Sequence, residues 1–320
     1  MNKSYGGYLP LELRKGTDYF SSFPAMRFNC ANAAVDHVLS VTGTKKIYVP
    51  YYMCPNICAN LDAKDISVIY YHIGEDLLPE AQDFDEGSCV YVTDYFGIMG
   101  GKTDKLIASL ADHYVIADFC HSFFHKPVLK DNVYCIYSAR KFFGVPDGAY
   151  LVNSRIVSDF EEESDNCSSD YSAYLIKSLE HGTDYSYAEK KQADEIIKTN
   201  KGKMSILSRR ILCSVDYEDV RSIRQNNARL YDEAFGKINS IHMEEGCSPY
   251  MYPLNVGKDI RSCLVEDKIF TPTLWGQLLS DEFTGTKEFA LTSETVFLPV
   301  DQRYGKEDID NVIGIVRNHI

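Results

Sequence analysis

Four polar residues stand at the ends of two apolar, β-rich runs. Asp118 closes the run Tyr114 to Ala117, with His121 three residues on; Ser138 closes the run Val133 to Tyr137, with Lys141 three residues on. In an open α/β sheet, ligands collect just past the carboxyl ends of the strands. If the two runs are strands of one sheet, a carboxylate, an imidazole, a hydroxyl and an amine can converge on one ligand. Phe142 and Phe143 give Lys141 apolar neighbours. Desolvation lowers a lysine's pKa and frees its lone pair, which makes Lys141 a candidate Schiff-base amine. A buried Asp118 facing a heterocyclic nitrogen would keep that nitrogen protonated. This is the Lys and Asp pairing used on pyridoxal phosphate.

Each residue also has a plainer reading. Lysines are mostly exposed, so Lys141 beside Arg140 could be a surface residue. Asp118 could cap a helix, and His121 could be a satisfied core histidine. His121 and His125 are spaced i, i+4 with Cys120 adjacent, which are zinc-ligand types. Zinc sites usually offer tighter groupings, so no metal is expected.

The elements that must position these residues follow from periodicity. Extended segments are expected at 45–50, 67–73, 88–97, 114–119, 133–138 and 148–153, with helical patterns at Ala31–Thr42 and 103–112 between them. Strands alternating with helices imply a mostly parallel sheet covered on both faces. Gly43 is a natural stop for the first helix. The first 24 residues read as an irregular lead-in, and the acidic stretch 154–172 as a solvated loop or weak helix. Helices are expected at Ala188–Asn200, Met204–Cys213 and Asp216–Ile238. Short strands around Tyr252 and Phe297, a helix at 258–268 and a closing helix from Lys306 then suggest a small α+β unit. The expected division is 1–215 for a large α/β domain and 216–320 for a small C-terminal domain.

The chain has 320 residues and a formal net charge of −13. That charge disfavours broad nucleic-acid or anionic-membrane binding. No apolar run approaches the roughly 20 residues of a membrane span. The N-terminus lacks a signal-peptide core, so a cytoplasmic protein is expected. The ten cysteines form no CxxC pair and read as free thiols.

Together these segments resemble the DegT/StrS-type sugar-nucleotide aminotransferases, which are fold type I pyridoxal-phosphate enzymes. The resemblance runs along nearly the whole chain. IYVPYYMCPNI, IADFCHSF, YSARKFFG, PDGAYLV and LPVDQRYGKEDIDNVIGIV occur in the family's order. It implies an α/β fold with a mostly parallel central sheet and a smaller C-terminal α+β domain. It also implies a homodimer that moves an amino group from an amino acid, glutamate above all, to a keto-sugar nucleotide in polysaccharide biosynthesis. Carried over residue by residue, Lys141 is the Schiff-base lysine and Asp118 the partner of the pyridine nitrogen. His121 contacts the cofactor, and Ser138 with Ala31 and Asn32 binds its phosphate. Tyr52, Tyr95 and Phe96 are candidates to stack on its ring, because the aligned stacking position is Cys54. Trp275 borders the substrate entrance, and Asn200 or Lys201 reaches a neighbouring subunit's phosphate. The aligned phosphate segment reads Cys30-Ala31-Asn32-Ala33-Ala34-Val35, where the family has roughly Ser-Gly-Thr-Ala-Ala-Leu. Two rivals follow from the same residues: a pyridoxal-phosphate lyase or dehydratase, which often carries histidine in place of this lysine, and a non-catalytic relative.

Overall fold

Side-chain alternation decides which face of the central sheet each polar group reaches. The computed structural model describes residues 5–80, 83–157 and 166–320. The centre of the acidic stretch, 158–165, and the first four residues of the lead-in lie outside the described residues.

The elements run β1 (Ala25–Phe28), α1 (Ala31–Thr42), β2 (Lys46–Pro50), α2 (Pro55–Asp62), β3 (Ser67–Tyr71), β4 (Cys89–Thr93), α3 (Gly101–Ser109), β5 (Tyr114–Asp118), β6 (Val133–Ser138) and β7 (Ala149–Val152). Then come α4 (Ala173–His181), α5 (Tyr187–Thr199), α6 (Ile206–Leu212), α7 (Tyr217–Phe235), β8 (Tyr252–Leu254), α8 (Arg261–Glu266), α9 (Lys287–Glu294), β9 (Val296–Leu298) and α10 (Lys306–Arg317). Seven strands form one sheet in the order β1-β7-β6-β5-β4-β2-β3. β3, β2, β4, β5 and β6 pair in parallel, and β7 runs antiparallel to both β6 and β1. The expected mostly parallel sheet is thus present, with the one reversed strand, β7, set between β6 and the edge strand β1.

The parallel strands are apolar on both faces because helices cover both. One face buries Val115, Ala117, Cys135 and Tyr137. The other packs Tyr91, Ile116 and Ile136 against Ala34, Val35 and Val38 of α1. Burying one such aliphatic side chain contributes about 1.5–3 kcal/mol. Asp118 and Ser138 share the alternation of Ile116 and Ile136, so both emerge on the α1 side at the carboxyl ends of adjacent strands.

β8 and β9 pair antiparallel and share a separate core with α7, α8 and α10, built on Tyr231, Phe235, Leu254, Leu264, Leu298 and Ile309. Asp216 caps α7 by accepting from the Asp219 N–H at 3.2 Å. Two helices, α4 and α9, stand where no element was expected. Part of the stretch read as solvated is also buried: Asn166 and Tyr171 donate to Asp147 Oδ2 at 2.8 and 2.7 Å. A fully buried aspartate needed those donors, and composition alone does not reveal it. All ten cysteines are unpaired. Among the described residues no helix is long and apolar enough to cross a membrane.

Candidate active site

A cavity of about 730 Å³ opens at the carboxyl ends of β5 and β6. Its inner wall carries Asp118, Cys120, Ser138 and Lys141, and one end is formed by Cys30, Ala31 and Asn32 at the start of α1. Cys54 and Ile57 stand on another wall, and Lys191, Asp194 and Lys198 of α5 close it from outside. The volume lies in the range of small-molecule sites.

Asp118 is held by two donors. The Tyr91 hydroxyl donates to Oδ2 at 2.8 Å and the Cys120 N–H to Oδ1 at 2.9 Å. A carboxylate offers about four lone-pair sites, so acceptor capacity remains. Lys141 sits at the end of a single 3₁₀ turn, Ala139–Lys141, that follows β6. Its Nζ lies 5.8 Å from the centre of the Tyr250 ring and makes no hydrogen bond or ion pair among the described residues. The expectation of a lysine depressed by burial is not met. Burial pulls its pKa down, but the opposing charges of Cys120, Asp118 and Cys54 outweigh it and the pKa is raised. Lys141 therefore keeps its proton at neutral pH, and burial holds the Cys120 thiol well above its ordinary value.

The start of α1 offers backbone donors. Cys30 holds the cap position in extended conformation without a good cap hydrogen bond, so the first-turn amides lack a strong acceptor. The dipole favours an anion there. Asn32 lines this end too; its Nδ2 donates to the Asn56 carbonyl at 3.1 Å, and its Oδ1 is buried without a partner. Gly148 closes the end from β7 with φ +137°, where a Cβ would stand 3.2 Å from that of Ala139.

Other residues singled out from sequence lie elsewhere. His121 is buried in an aromatic layer behind Lys141, its ring 5.3 Å from Tyr250 and 5.8 Å from Trp275. The Phe96 N–H donates to its Nδ1 at 3.3 Å, which leaves the proton of a neutral ring on Nε2. Burial, and then the charge of Lys141, holds its pKa well below the ordinary value. Phe119 continues the strand, its N–H donating to the Ile136 carbonyl at 2.8 Å, and the chain then turns, the Ser122 N–H donating to the Phe119 carbonyl at 2.9 Å. In this turn Cys120, and not His121, lines the cavity. The loop after β4 fits against this turn only because Gly97, at φ +78°, has no Cβ; one would stand 2.1 Å from the His121 carbonyl oxygen. Tyr95 packs in the same layer, 5.3 Å from Tyr52 and 5.8 Å from Trp275. None of the cavity-lining residues is aromatic. His125 turns away to pair with Asp104 at 2.9 Å, so the two imidazoles of the i, i+4 pair serve different partners. Lys201 pairs within its own chain with Asp36 at 2.9 Å and with Asn60. Asn200 gives its carbonyl to Asn29, whose side chain also accepts from the Gly202 N–H at 3.0 Å.

Three features escaped sequence reasoning. α5 forms the outer wall, although its Lys, Gln, Asp and Glu residues read as a solvent face. Arg140 lines the cavity beside Lys141. Arg224 lies on the buried stripe of α7 and is 1% exposed. It donates to the carbonyls of Phe142, Pro249 and Tyr250 at 3.1–3.3 Å, and so braces the turn of Lys141 against the C-terminal region. Gln302 Nε2 donates to the same Phe142 carbonyl at 2.8 Å. Burial lowers the Arg224 pKa to about 10, still charged at neutral pH. Its signal was its spacing of four, four and seven residues from the apolar Val220, Ala228 and Tyr231.

An amine without a partner, a carboxylate with spare acceptor capacity, a free hydroxyl and unpaired helix amides in one cavity fit pyridoxal phosphate. The exception is stacking: the wall offers Cys54 and Ile57 and no aromatic side chain on which a ring would stack. No family model and no curated protein sequence matches the chain. Solved structures do match by fold. The sugar aminotransferase CalS13 from Micromonospora echinospora is similar over 93% of this chain and 88% of its own, at TM-score 0.64 and 13% identity. A DegT DnrJ EryC1 StrS aminotransferase from Brucella abortus is similar over 92% and 86%, at TM-score 0.58 and 16% identity. The GDP-4-keto-6-deoxy-D-mannose-3-dehydratase of E. coli, solved with bound hydrated PLP, is similar over 91% and 87%, at TM-score 0.61 and 14% identity. The chain therefore has the fold shared by these sugar aminotransferases and this dehydratase.

Proposed function

We propose that this protein is a pyridoxal-phosphate-dependent aminotransferase that moves an amino group from an amino acid, glutamate first among them, to a keto-sugar nucleotide in the cytoplasm. The observation that carries the reading is the unpaired Lys141 amine in one cavity with Asp118, at the ends of two adjacent parallel strands. The fold likeness supports it, because those structures include sugar aminotransferases and a PLP-bound enzyme.

When bound, pyridoxal phosphate supplies an electron sink for the carbon that loses its proton. The chain's residues do the rest. Asp118, oriented by Tyr91, holds the proton on the ring nitrogen. Lys141 would anchor the cofactor and move a proton at its Nζ, which requires giving up the proton that its surroundings favour. Ser138 and the amides of Ala31 and Asn32 bind the phosphate. α5 limits access of water from outside. His121 and Tyr95 support the lysine from the layer behind, one step removed from the ligand.

Two coarser proposals accompany this one. A homodimer accounts for the exposed apolar residues Ile176, Leu179, Tyr185 and Tyr187 around α4 and α5; a monomeric mass by light scattering would end that part. A boundary near residue 216 is supported by the separate core of the C-terminal elements.

The test is the absorbance spectrum of the protein with added pyridoxal phosphate, before and after borohydride, followed by peptide mapping. A visible band that borohydride fixes on Lys141 is expected. Folded protein that gives no band refutes the reading. Transfer of label from ¹⁵N-glutamate then separates an aminotransferase from a dehydratase.

A further inference from the structure

Arg140 stands between Ser138 and the cavity's outer wall, one residue before Lys141. Its side chain is 21% exposed and pairs with Asp194 of α5. Asp194 is shared: Lys190 donates to both of its oxygens at 2.7 Å. Two cations therefore meet one carboxylate in a half-buried corner, which leaves that corner one positive charge in excess. The guanidinium is also not fully used. Asp194 and the neighbouring Tyr174 hydroxyl take one side, while Nε is buried with no partner. A buried guanidinium nitrogen without an acceptor is costly.

The same corner holds the start of α1. Burial raises the Cys30 thiol's pKa, and the amides of Ala33 and Asn32 and then the charges of Lys201 and Arg140 oppose that rise, so the guanidinium acts within reach of the helix start. Lys201 is itself committed to Asp36 and Asn60. Lys191 and Lys198 line the cavity from α5, and Arg140 is the cation that lines it from the turn between Ser138 and Lys141, near the first-turn amides. Residues 30–32, Cys-Ala-Asn, bring no hydroxyl to this end, so the charge there must come from elsewhere. A fork of N–H donors beside free helix amides matches a phosphate monoester, whose oxygens take bidentate hydrogen bonds from arginine.

We propose that Arg140 binds the phosphate of the cofactor, its guanidinium shared between Asp194 and the phosphate dianion that also takes the α1 amides and the Ser138 hydroxyl. The assignment rests on the proposed use of pyridoxal phosphate and adds a charge to that site. Asp194 then serves as a placeholder that keeps the guanidinium extended before the dianion arrives.

The experiment compares dissociation constants for pyridoxal phosphate and for pyridoxal, which lacks the phosphate, by absorbance titration. Wild type, Arg140→Gln, Arg140→Lys and Asp194→Asn are measured, each with its thermal unfolding recorded without ligand. Arg140→Gln is expected to weaken pyridoxal phosphate about 10- to 100-fold and to leave pyridoxal within about twofold. Arg140→Lys should recover part of the loss. Asp194→Asn should keep the preference for the phosphorylated aldehyde. Inorganic phosphate should compete with pyridoxal phosphate in wild type and lose most of that effect in Arg140→Gln. Equal weakening of both aldehydes in Arg140→Gln, or an Asp194→Asn loss as large as its own, makes Arg140 a structural anchor and overturns the assignment. So does an unchanged preference in Arg140→Gln while wild type discriminates. A wild type that binds neither aldehyde overturns the underlying functional reading as well, which sets that failure apart.

Discussion

The cavity and the aromatic layer behind it are built from the same strand ends and have opposite characters. In the cavity, the Lys141 amine and the Ser138 hydroxyl make no hydrogen bond among the described residues and line open space. In the layer, Tyr52 and Tyr95 also bury hydroxyls without a hydrogen bond of good geometry, but rings fill the space around them. An uncommitted polar group points to a ligand only where room accompanies it. Elsewhere it is a small packing cost, accepted because large rings bury much apolar area.

Substitutions in the two regions should therefore separate cleanly. The largest effect belongs to the cavity: Lys141→Ala should abolish the borohydride-fixed adduct and slow amino transfer roughly 10³-fold or more, read by mass spectrometry and stopped-flow absorbance. An adduct that persists elsewhere in this variant would break the contrast. Next comes the brace between the regions. Arg224→Met takes a donor from the Pro249 and Tyr250 carbonyls, leaves the Phe142 carbonyl to Gln302 alone, and should cost about 3 kcal/mol in denaturant unfolding. A loss below about 1 kcal/mol would mean that water replaces the guanidinium.

Asp94, fully buried after β4, gives a smaller and pH-dependent effect. Burial raises its pKa from 3.8 to about 6, against the opposing influence of His125 and of the donors Ser122 and Thr103. The folded protein thus holds a proton there that the unfolded chain releases. Stability from this group is greatest below about pH 4 and declines as pH rises to about 6. Asp94→Asn should match wild type near pH 4 and exceed it by on the order of 2 kcal/mol at pH 7, measured by urea unfolding at both values. A constant difference across that range would refute the shift. Smallest is Tyr95→Phe, which deletes a hydroxyl with no good partner. Stability should change by less than about 1 kcal/mol and cofactor affinity not at all. A tenfold loss of affinity would move Tyr95 back among the ligands, where its sequence position first put it.

What was legible in the sequence was what period and strand ends determine. Apolar runs of five or six residues fixed β5 and β6, and with them the neighbouring positions of Asp118 and Lys141. The uncertainty began one residue past the strands. Where the chain turns after Asp118 decides whether residue 120 or 121 faces the ligand, and no local pattern marks that point. Arg224 and α5 were hidden for another reason. A charged residue on a helix looks like solvent contact until the partners that desolvate it are known, and those partners are distant in the chain. The raised pKa of Lys141 was hidden in the same way, since it depends on Cys120, Asp118 and Cys54, which only the folded chain brings together.

The brace on Phe142 also sets an order of assembly. Its carbonyl takes donors from residues 82 and 160 positions further along. A chain emerging from the ribosome completes the strand that leads to Lys141 before Arg224 and Gln302 exist. The turn that carries the reactive amine therefore stays unbraced until both donors have been made and folded against it.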